Sequence, residues 1–420
     1  MDRIPLAALD ARARLAALAD PGSLALDAPV GASSDLARFG IAARDDDGIV
    51  TGRARLEGRD VLVAAQDERF LRGSVGRLHG GALAALAARA WTERPAALVL
   101  LLASGGVRLH EANAAELALA RALRATIDVR AAGIPVVAIG VGDVFGGASV
   151  LACAADRLAL LPHVRLGVSG PSVIEAARGR DELAADDADT VAGIFGAAAR
   201  AHAGLADLVD DDVATLRAWI ALAIRDAEPF EPSVRDMHAK LVARLGFQRD
   251  DPPWVDRKGG DAVVRPVRAT VGAANLLAID AELLATLDEG SLERLTLVED
   301  SQGHEPTRAA EVAGLARFLA HHACVLGLLR SRGVRILGWL AGTGHSAAFF
   351  ANALQADSVV AEPHSRVVAM EAPAMARVLR LDPAKLASMI EDDPLLGHPV
   401  RHFAALGGLS IPGSEPEPGQ

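Results

Sequence analysis

Two uncharged apolar runs constrain this chain more than any other feature. ALVLLLAS (97–104) and IPVVAIGVG (134–142) show no alternation of polar and apolar residues, and each leads into a glycine pair, Gly105-Gly106 and Gly146-Gly147. A continuous apolar run of that length suits a strand buried on both faces, with helices covering the sheet above and below. The segment between them, EANAAELALARALRATIDVRAAG, has helix-forming composition, and ASVLACAA after the second glycine pair reads the same way. Strand, glycine turn and helix, given twice, predict an α/β layering with parallel pairing. Upstream lie a short helical pattern (Ile4 to Leu18) and two strand-like runs joined by Glu57-Gly58, a hairpin signal. Glycines then open an Ala-rich helix in GSVGRLHGGALAALAARAW.

The pattern does not stop there. From Asp186 to Leu245 the chain is helical with acidic clusters such as Asp210 to Asp212, and GFQRDDPPWVDRKGGD then collects prolines, glycines and charges without apolar periodicity. This segment is the expected domain boundary. The α/β texture resumes with LTLVEDSQG, VRILGWLAGTG and the helical SAAFFANALQA. The expected organisation is a first domain over 1–248, a linker over 249–262, a second domain over 263–410 and a disordered tail over 411–420, consistent with about two domains for 420 residues. An internal duplication joins the halves: Ala155-Asp156 and Pro162-His163-Val164-Arg165 recur as Ala356-Asp357 and Pro363-His364-Ser365-Arg366, 201 residues later. The two halves read as copies of one fold.

Composition removes several function classes. Hydrophobic residues are 51% and charged residues 23%, far from a disordered profile, while the 3% of aromatics and the absence of tyrosine call for small-residue cores. The net charge of −11 and the lack of a basic cluster with interleaved aromatics argue against nucleic acid. Two cysteines, Cys153 and Cys324, cannot build a disulfide framework or a four-cysteine zinc site. The first twenty residues are charged throughout, without the apolar stretch of a signal peptide, so a cytoplasmic location is expected. The span between Arg335 and Asp357 lacks charges, yet Gly338, Gly342, Thr343, Gly344, His345, Ser346, Asn352 and Gln355 would sit in hydrocarbon. A buried strand, loop and helix is expected there, and no membrane span.

Glycine turns between strand and helix expose backbone N–H groups, which suit an oxyanion. No GxxxxGK[ST] or correctly continued GxGxxG is present, so phosphate fingerprints fail. Ser104-Gly105-Gly106 and Phe145-Gly146-Gly147 could instead aim two N–H groups at one carbonyl oxygen. A nucleophilic elbow is absent, both cysteines sit in helical settings that favour inert thiols, and His304, His321 and His322 lack a metal-binding spacing, which leaves them solvated or supporting roles and no metal site. His345 differs, because it ends the turn Gly342-Thr343-Gly344 immediately before a helix, within reach of a ligand held by N–H groups.

These motifs carry a resemblance. SGGVRLHE (104–111) is similar to the SGGAR-type turn of crotonase-superfamily carboxyltransferases, and FGGASVLACAADRLALLPHVRLGVSGPSVIE (145–175) resembles their second characteristic segment. EDSQGHEPTRAAE (299–311), GTGHSAAFFANALQAD (342–357) and VVAMEAPAMARVLRLDPAKL (367–386) are similar to the gamma subunit of malonate decarboxylase, and the first half to its beta subunit. Over about residues 5–410 the chain resembles a beta-gamma fusion of the biotin-independent malonate decarboxylase family.

The resemblance implies an α/β fold of two tandem crotonase-like (carboxyltransferase) domains built from ββα repeats. It implies a lyase that decarboxylates a malonyl thioester to the acetyl thioester and carbon dioxide, with no cofactor bound directly. The acyl group would arrive on a phosphoribosyl-dephospho-CoA arm of an acyl carrier protein subunit, with the acyl-carrier-protein transferase (alpha) subunit as a further partner; a homo-oligomer is compatible with it. Loss of carbon dioxide leaves an enolate, for which preorganised N–H donors suffice. On this reading Gly105, Gly106, Gly146 and Gly147 supply the oxyanion hole, His345 or Ser346 positions the carboxylate or relays the proton, and Ser104, Arg108, Gly344 and Ala347 contact substrate. Under the 201-residue offset Gly146-Gly147 faces Ala347-Ala348, and Gly303-His304-Glu305-Pro306 replaces a tyrosine-containing gamma motif. The methyls of Ala347-Ala348 restrict close approach and so bear on whether a full second oxyanion hole forms, while the replaced motif is a separate departure from the gamma pattern. The alternatives are a biotin-dependent acyl-CoA carboxyltransferase and a non-catalytic scaffold that binds acyl carrier protein.

Overall fold

The computed structural model describes residues 5–247 and 253–412. Its first sheet begins with the expected hairpin. β1 (Ala25–Leu26) lies beside β2 (Ile49–Leu56), which turns through Glu57 (φ 50°) and Gly58 (φ 74°) into antiparallel β3 (Arg59–Gln66). Two left-handed residues match the twist of a tight hairpin. The parallel strands β4 (Ala97–Ser104), β5 (Val136–Phe145), β6 (Arg157–Leu160) and β8 (Asp207–Leu208) complete the order β1-β2-β3-β4-β5-β6-β8, while β7 (Leu166–Gly167) pairs with the end of β5. All eight residues of β4 are buried, as a strand covered on both faces requires.

Helices α1 (Ala11–Leu18), α2 (Arg77–Glu93), α3 (Ala112–Ala131) and α4 (Gly147–Cys153) pack on this sheet. The helical pattern read from Ile4 is interrupted, because Asp10 caps α1 by accepting a hydrogen bond from the Ala13 N–H at 2.8 Å. The first half continues through α5 (Pro171–Arg178), α6 (Ala188–Phe195), α7 (Ala197–His202), α8 (Val213–Arg225) and α9 (Phe230–Leu245).

The second half repeats the plan. β9 (Val255–Lys258) and β10 (Asp261–Val264) form an antiparallel hairpin, and parallel β11 (Arg294–Glu299), β12 (Arg335–Leu340) and β14 (Ser358–Ala361) extend it in the order β14-β12-β11-β10-β9. A two-stranded ribbon pairs β13 (Thr343–His345) with β15 (Arg366–Val368). The helices are α10 (Ala273–Asp288), α11 (Arg308–Ala313), α12 (Leu315–Ser331), α13 (Ser346–Ala351), α14 (Ala372–Leu379), α15 (Pro383–Asp392) and α16 (Val400–Ala405). The linker expected at 249–262 is therefore too long: Gly259-Gly260 is the hairpin turn of the second copy, and its charged residues 256–258 are an exposed edge strand. Residues 249–252 of that stretch, 1–4 and 248 of the expected first domain, and 413–420 of the tail lie outside the described residues.

The duplication runs deeper than the sequence motif. Asp156 takes the Val136 N–H on its carboxylate at 2.8 Å and gives its own N–H to the Val136 carbonyl at 2.9 Å; Asp357 does the same to Ile336 at 2.8 and 2.8 Å. The two copies share one continuous apolar core, with α3 and α4 of the first packed on α12 and α13 of the second. Close approach needs small residues there: a Cβ on Gly327 would stand 2.3 Å from the Ile127 side chain. Buried arginines tie the halves as well, Arg317 donating to the Cys153 carbonyl at 2.6 Å and Arg130 to the Cys324 sulfur at 3.3 Å. Both thiols are buried, and desolvation raises their pKa values, so they are inert.

Candidate site between the two halves

The two glycine turns of the first half touch. Gly106 (φ 99°) and Gly146 (φ 60°) are left-handed, and a Cβ on Gly146 would lie 3.1 Å from the Gly106 Cα. Only glycine allows the backbones to meet this way. The donors are not those expected, however. The Gly105 N–H is held by the Arg72 carbonyl at 2.9 Å, the Gly106 N–H by Ser104 Oγ at 3.1 Å and the Gly146 N–H by the Val168 carbonyl at 3.2 Å. Among the described residues, the N–H groups without an acceptor are those of the next residue in each turn, Val107 and Gly147. Ser104 is 1% exposed and shapes the turn from within.

Arg108 is also placed differently from the sequence reading. Its guanidinium is fully buried, donating to Asp47 Oδ1 at 2.6 Å, to Glu111 Oε2 at 3.3 Å and to the Ser74 carbonyl at 3.0 Å. Glu111 in turn takes the Arg77 N–H at 3.0 Å and a hydrogen bond from Ser33 Oγ. Burial pushes the Asp47 carboxyl upward while Arg108 opposes that shift. Arg108 is thus a strut beneath the turn, out of a ligand's reach.

The second half builds the same turn from different side chains. In the first copy the Val75 N–H donates to the Gly106 carbonyl (2.8 Å) and the Arg108 N–H to the Val75 carbonyl (2.9 Å); in the second, Val271 bonds to Gly303 (2.8 Å) and Glu305 to Val271 (3.0 Å). The Gly303 N–H also reaches Ser301 Oγ at 3.4 Å, as Gly106 reaches Ser104. His304 therefore stands where Val107 stands. In the other turn the left-handed position of Gly146 is taken by Ser346, with φ 52°. The 201-residue offset slips by one here: Gly146-Gly147 faces Ser346-Ala347, because the extra residue of the second copy comes after the turn, between it and Ala356.

These positions converge. His304 Nε2 lies 2.9 Å from Ser169 Oγ of the first half, and its Nδ1 lies 3.4 Å from Ser346 Oγ. Ser169 follows Val168, the residue that holds the Gly146 N–H. Burial, reinforced by the neighbouring His345, lowers the His304 pKa to about 4, so the ring is neutral near pH 7. Glu311 of the second half fixes the Ser169 loop, accepting from the Ser169 N–H at 2.6 Å and the Val168 N–H at 3.1 Å, with Arg200 at 3.2 Å on its other oxygen. Burial pushes Glu311 up to about 7 against the opposing pull of Arg200.

The remaining expected residues take supporting places. His345 is half-buried and stacks its ring on Gly303, whose Cβ would stand 3.1 Å from it, and burial lowers its pKa. Gly344 packs on Phe349, and Ala347 is buried in the first turn of α13. His321 and His322, expected in solvated or supporting roles, are both buried: His322 Nδ1 lies 2.6 Å from Asp280 Oδ1. Among the described residues no three His, Cys, Asp or Glu side chains gather as a metal site. Val107, Ser169 and His304 escaped the sequence reading, although Ser-x-Gly at both 104–106 and 301–303 was a signal that could have aligned Val107 with His304.

Comparison with known proteins agrees with this architecture. The carboxyl transferase domain family matches residues 8–240, more than half of the chain, and the malonate decarboxylase gamma subunit family matches residues 267–414. The malonyl-S-ACP:biotin-protein carboxyltransferase MADC of Malonomonas rubra is 34% identical over 172 residues, 37% of this chain and 54% of that protein. The acetyl-coenzyme A carboxylase carboxyl transferase subunits beta/alpha of Salinispora tropica are 34% identical over 187 residues, 41% of this chain and 33% of that protein. The chain thus spans about half or less of the curated relatives it matches. A chain of a Pseudomonas malonate decarboxylase hetero-tetramer, solved in complex with malonate, superposes with a TM-score of 0.55 at 32% identity, covering 60% of this chain and 94% of that one. Tandem crotonase-like domains are the fold, and no helix among the described residues is long and apolar enough to cross a membrane. The chain belongs to the carboxyl transferase family, and the segment that follows its carboxyl transferase domain matches the malonate decarboxylase gamma subunit family.

Proposed function

We propose that the chain decarboxylates a malonyl thioester, presented by an acyl carrier protein on a phosphoribosyl-dephospho-CoA arm, to the acetyl thioester and carbon dioxide. The acyl-carrier-protein transferase subunit is the further partner of this reading. The observation that carries it is that the turns bearing two unengaged backbone donors, Val107 and Gly147, are tied through the Val168–Ser169 loop, which holds the Gly146 N–H, to the Ser169–His304–Ser346 set at the junction of the halves. The bond between the carboxylate carbon and the methylene carbon breaks, its electron pair moves into the thioester carbonyl, and the resulting enolate oxygen is met by the N–H groups of Val107 and Gly147. Such donors stabilise charge that develops only in the transition state, by about 3–4 kcal/mol each. The methylene carbon then takes a proton from solvent through the Ser346 hydroxyl, with neutral His304 passing protons between Ser169 and Ser346. Ser346 is held left-handed, a strain of the kind that clusters at functional sites.

The test is carbon dioxide release from malonyl carrier protein, or malonyl-CoA, by the purified chain. Carrier binding without release from either substrate sinks the catalytic reading and leaves the scaffold. A second reading, carboxyl transfer to biotin on a partner protein, is favoured by the 34% identity to the Malonomonas rubra carboxyltransferase. Release that requires a biotinyl protein and is blocked by avidin selects it.

A further inference from the structure

The internal repeat leaves one arginine in two different states. In the first half Arg165 is clamped by Asp143: its N–H donates to Asp143 Oδ1 at 3.1 Å, and its Nε and Nη2 grip the same carboxylate. The repeated arginine, Arg366, begins β15, and its N–H goes to the Gly342 carbonyl at 3.0 Å instead. The residue in the place of Asp143, 200 positions on, is Thr343, which offers no charge. Among the described residues no carboxylate pairs with Arg366; its Nη2 lies 3.0 Å from His398 Nδ1, which leaves the His398 proton on Nε2.

Beside this guanidinium opens a cavity of about 480 Å³, lined by His364, Arg366, His398 and Arg401, with Glu391 the one acidic side chain. Glu391 belongs to Arg401, which donates to its carbonyl at 2.9 Å and lies 3.7 Å from its carboxylate. Those two charges offset each other, and Arg366 keeps no paired carboxylate among the described residues, Glu371 acting only through space on the neighbouring His345 and His398. The walls come from three places: the loop before β15 and the start of α16 bring the donors His364, Arg366 and Arg401 from two sides, and the end of α15 brings Ile390 and Glu391. A carboxylate is satisfied by one guanidinium fork, whereas a tetrahedral phosphate uses donors on several sides. The cavity adjoins the site through the ribbon, because Thr343 pairs with Arg366 and His345 with Val368.

We infer that this cavity is a phosphate-binding pocket, with Arg366 as its principal charge and His364 as a flanking donor, taking a phosphate monoester or diester of the ligand's arm. That the arm carries a thioester rests on the function proposed above; that an Arg366-dependent phosphate site exists does not.

Calorimetry on the full chain tests it with four probes, none of which needs turnover: 4′-phosphopantetheine, 3′,5′-adenosine diphosphate, pantetheine and malonate. A phosphate-bearing probe binds at least tenfold tighter than pantetheine, and Arg366→Gln erases that ratio. Phosphopantetheine alone being affected assigns the pocket to the arm's own phosphate, and the adenosine diphosphate alone assigns it to the nucleotide end. Thr343→Asp, which restores the carboxylate of the first half, gives the same loss with the arginine kept, and covers the case in which Arg366→Gln does not fold. Equal binding of pantetheine and both phosphate probes overturns the inference, as does an Arg366-dependent affinity for malonate only. Absence of decarboxylation with the tenfold ratio intact removes the proposed function and keeps the pocket.

Discussion

The two halves share a backbone and differ in what they place at its turns. In the first copy both turns are closed by glycine, Gly106 against Gly146, the following side chain is the apolar Val107, and Leu102 backs the turn inside β4. In the second copy the corresponding residues are His304, Ser346 and Glu299, all polar. One copy presents unengaged backbone donors and the other polar side chains, and the function proposed above draws on both. The difference teaches that one repeated turn can carry different chemistry: glycine and close packing leave backbone N–H groups at the turn, while replacing glycine places a hydroxyl or imidazole there.

The largest expected effect breaks the first copy's share. Gly147→Pro removes the proposed donor at a helix start, where proline is tolerated, and turnover on malonyl carrier protein falls about 100- to 1000-fold. Gly147→Ala is the control, since its methyl meets the same neighbour, Leu119 at 2.8 Å, but the N–H remains. Equal losses in the two variants would mean that packing and not the donor is what the position supplies.

Next in size is the second copy's buried carboxyl. Glu299 accepts from Ser301 Oγ at 2.8 Å and from Asn352 Nδ2 at 2.7 Å, and burial outweighs both, pushing it from 4.5 to about 7. The folded state holds this proton more tightly than the unfolded chain does. Its contribution to stability is therefore complete below pH 4.5 and is lost as the pH rises through about 7. Denaturant titrations between pH 5 and pH 8 should show a decline in both proteins, because Glu311 and Glu116 are also raised by burial, to about 7 and about 8, but a decline smaller in Glu299→Gln by up to about 3 kcal/mol. A decline of the same size in both proteins would place the titrating group elsewhere. Leu102 gives the first copy no such dependence at the equivalent place.

The smallest effect sharpens the comparison at the left-handed position. Ser346→Gly and Ser346→Ala both remove the hydroxyl and should slow turnover alike, but the glycine variant is the more stable of the two by about 1 kcal/mol, because only it relieves the positive φ. Identical melting temperatures for the two would show that the second turn does not carry the conformation Gly146 has.

Much of this was legible beforehand. The buried strands 97–104 and 134–142, the Glu57-Gly58 hairpin and the repeat at Asp156 and Asp357 follow from apolar runs and turn chemistry, which act over a few residues. The linker failed at 255–262 for a physical reason: the edge strand β9 is mostly exposed and charged, so it lacks the apolar signature of a strand. Arg108 failed for another. An arginine next to a glycine turn looks available in sequence, but Asp47, 61 residues away, buries it. His304 was passed over because its partners, Ser169 and Ser346, are 135 and 42 residues distant.

The sequence by itself determined that two copies of an α/β unit exist and that glycines close their turns, because strand burial and positive φ are local demands written in neighbouring residues. Only the tertiary structure decided which N–H groups stay unengaged, since Ser104 Oγ and the Arg72 and Val168 carbonyls claim the glycines first and leave Val107 and Gly147. It also decided that His304 faces the other half, and that Arg366, unlike Arg165, pairs with no carboxylate among the described residues. Each of these depends on what a distant segment brings within about 3 Å, a length over which hydrogen bonds form and sequence spacing carries no information.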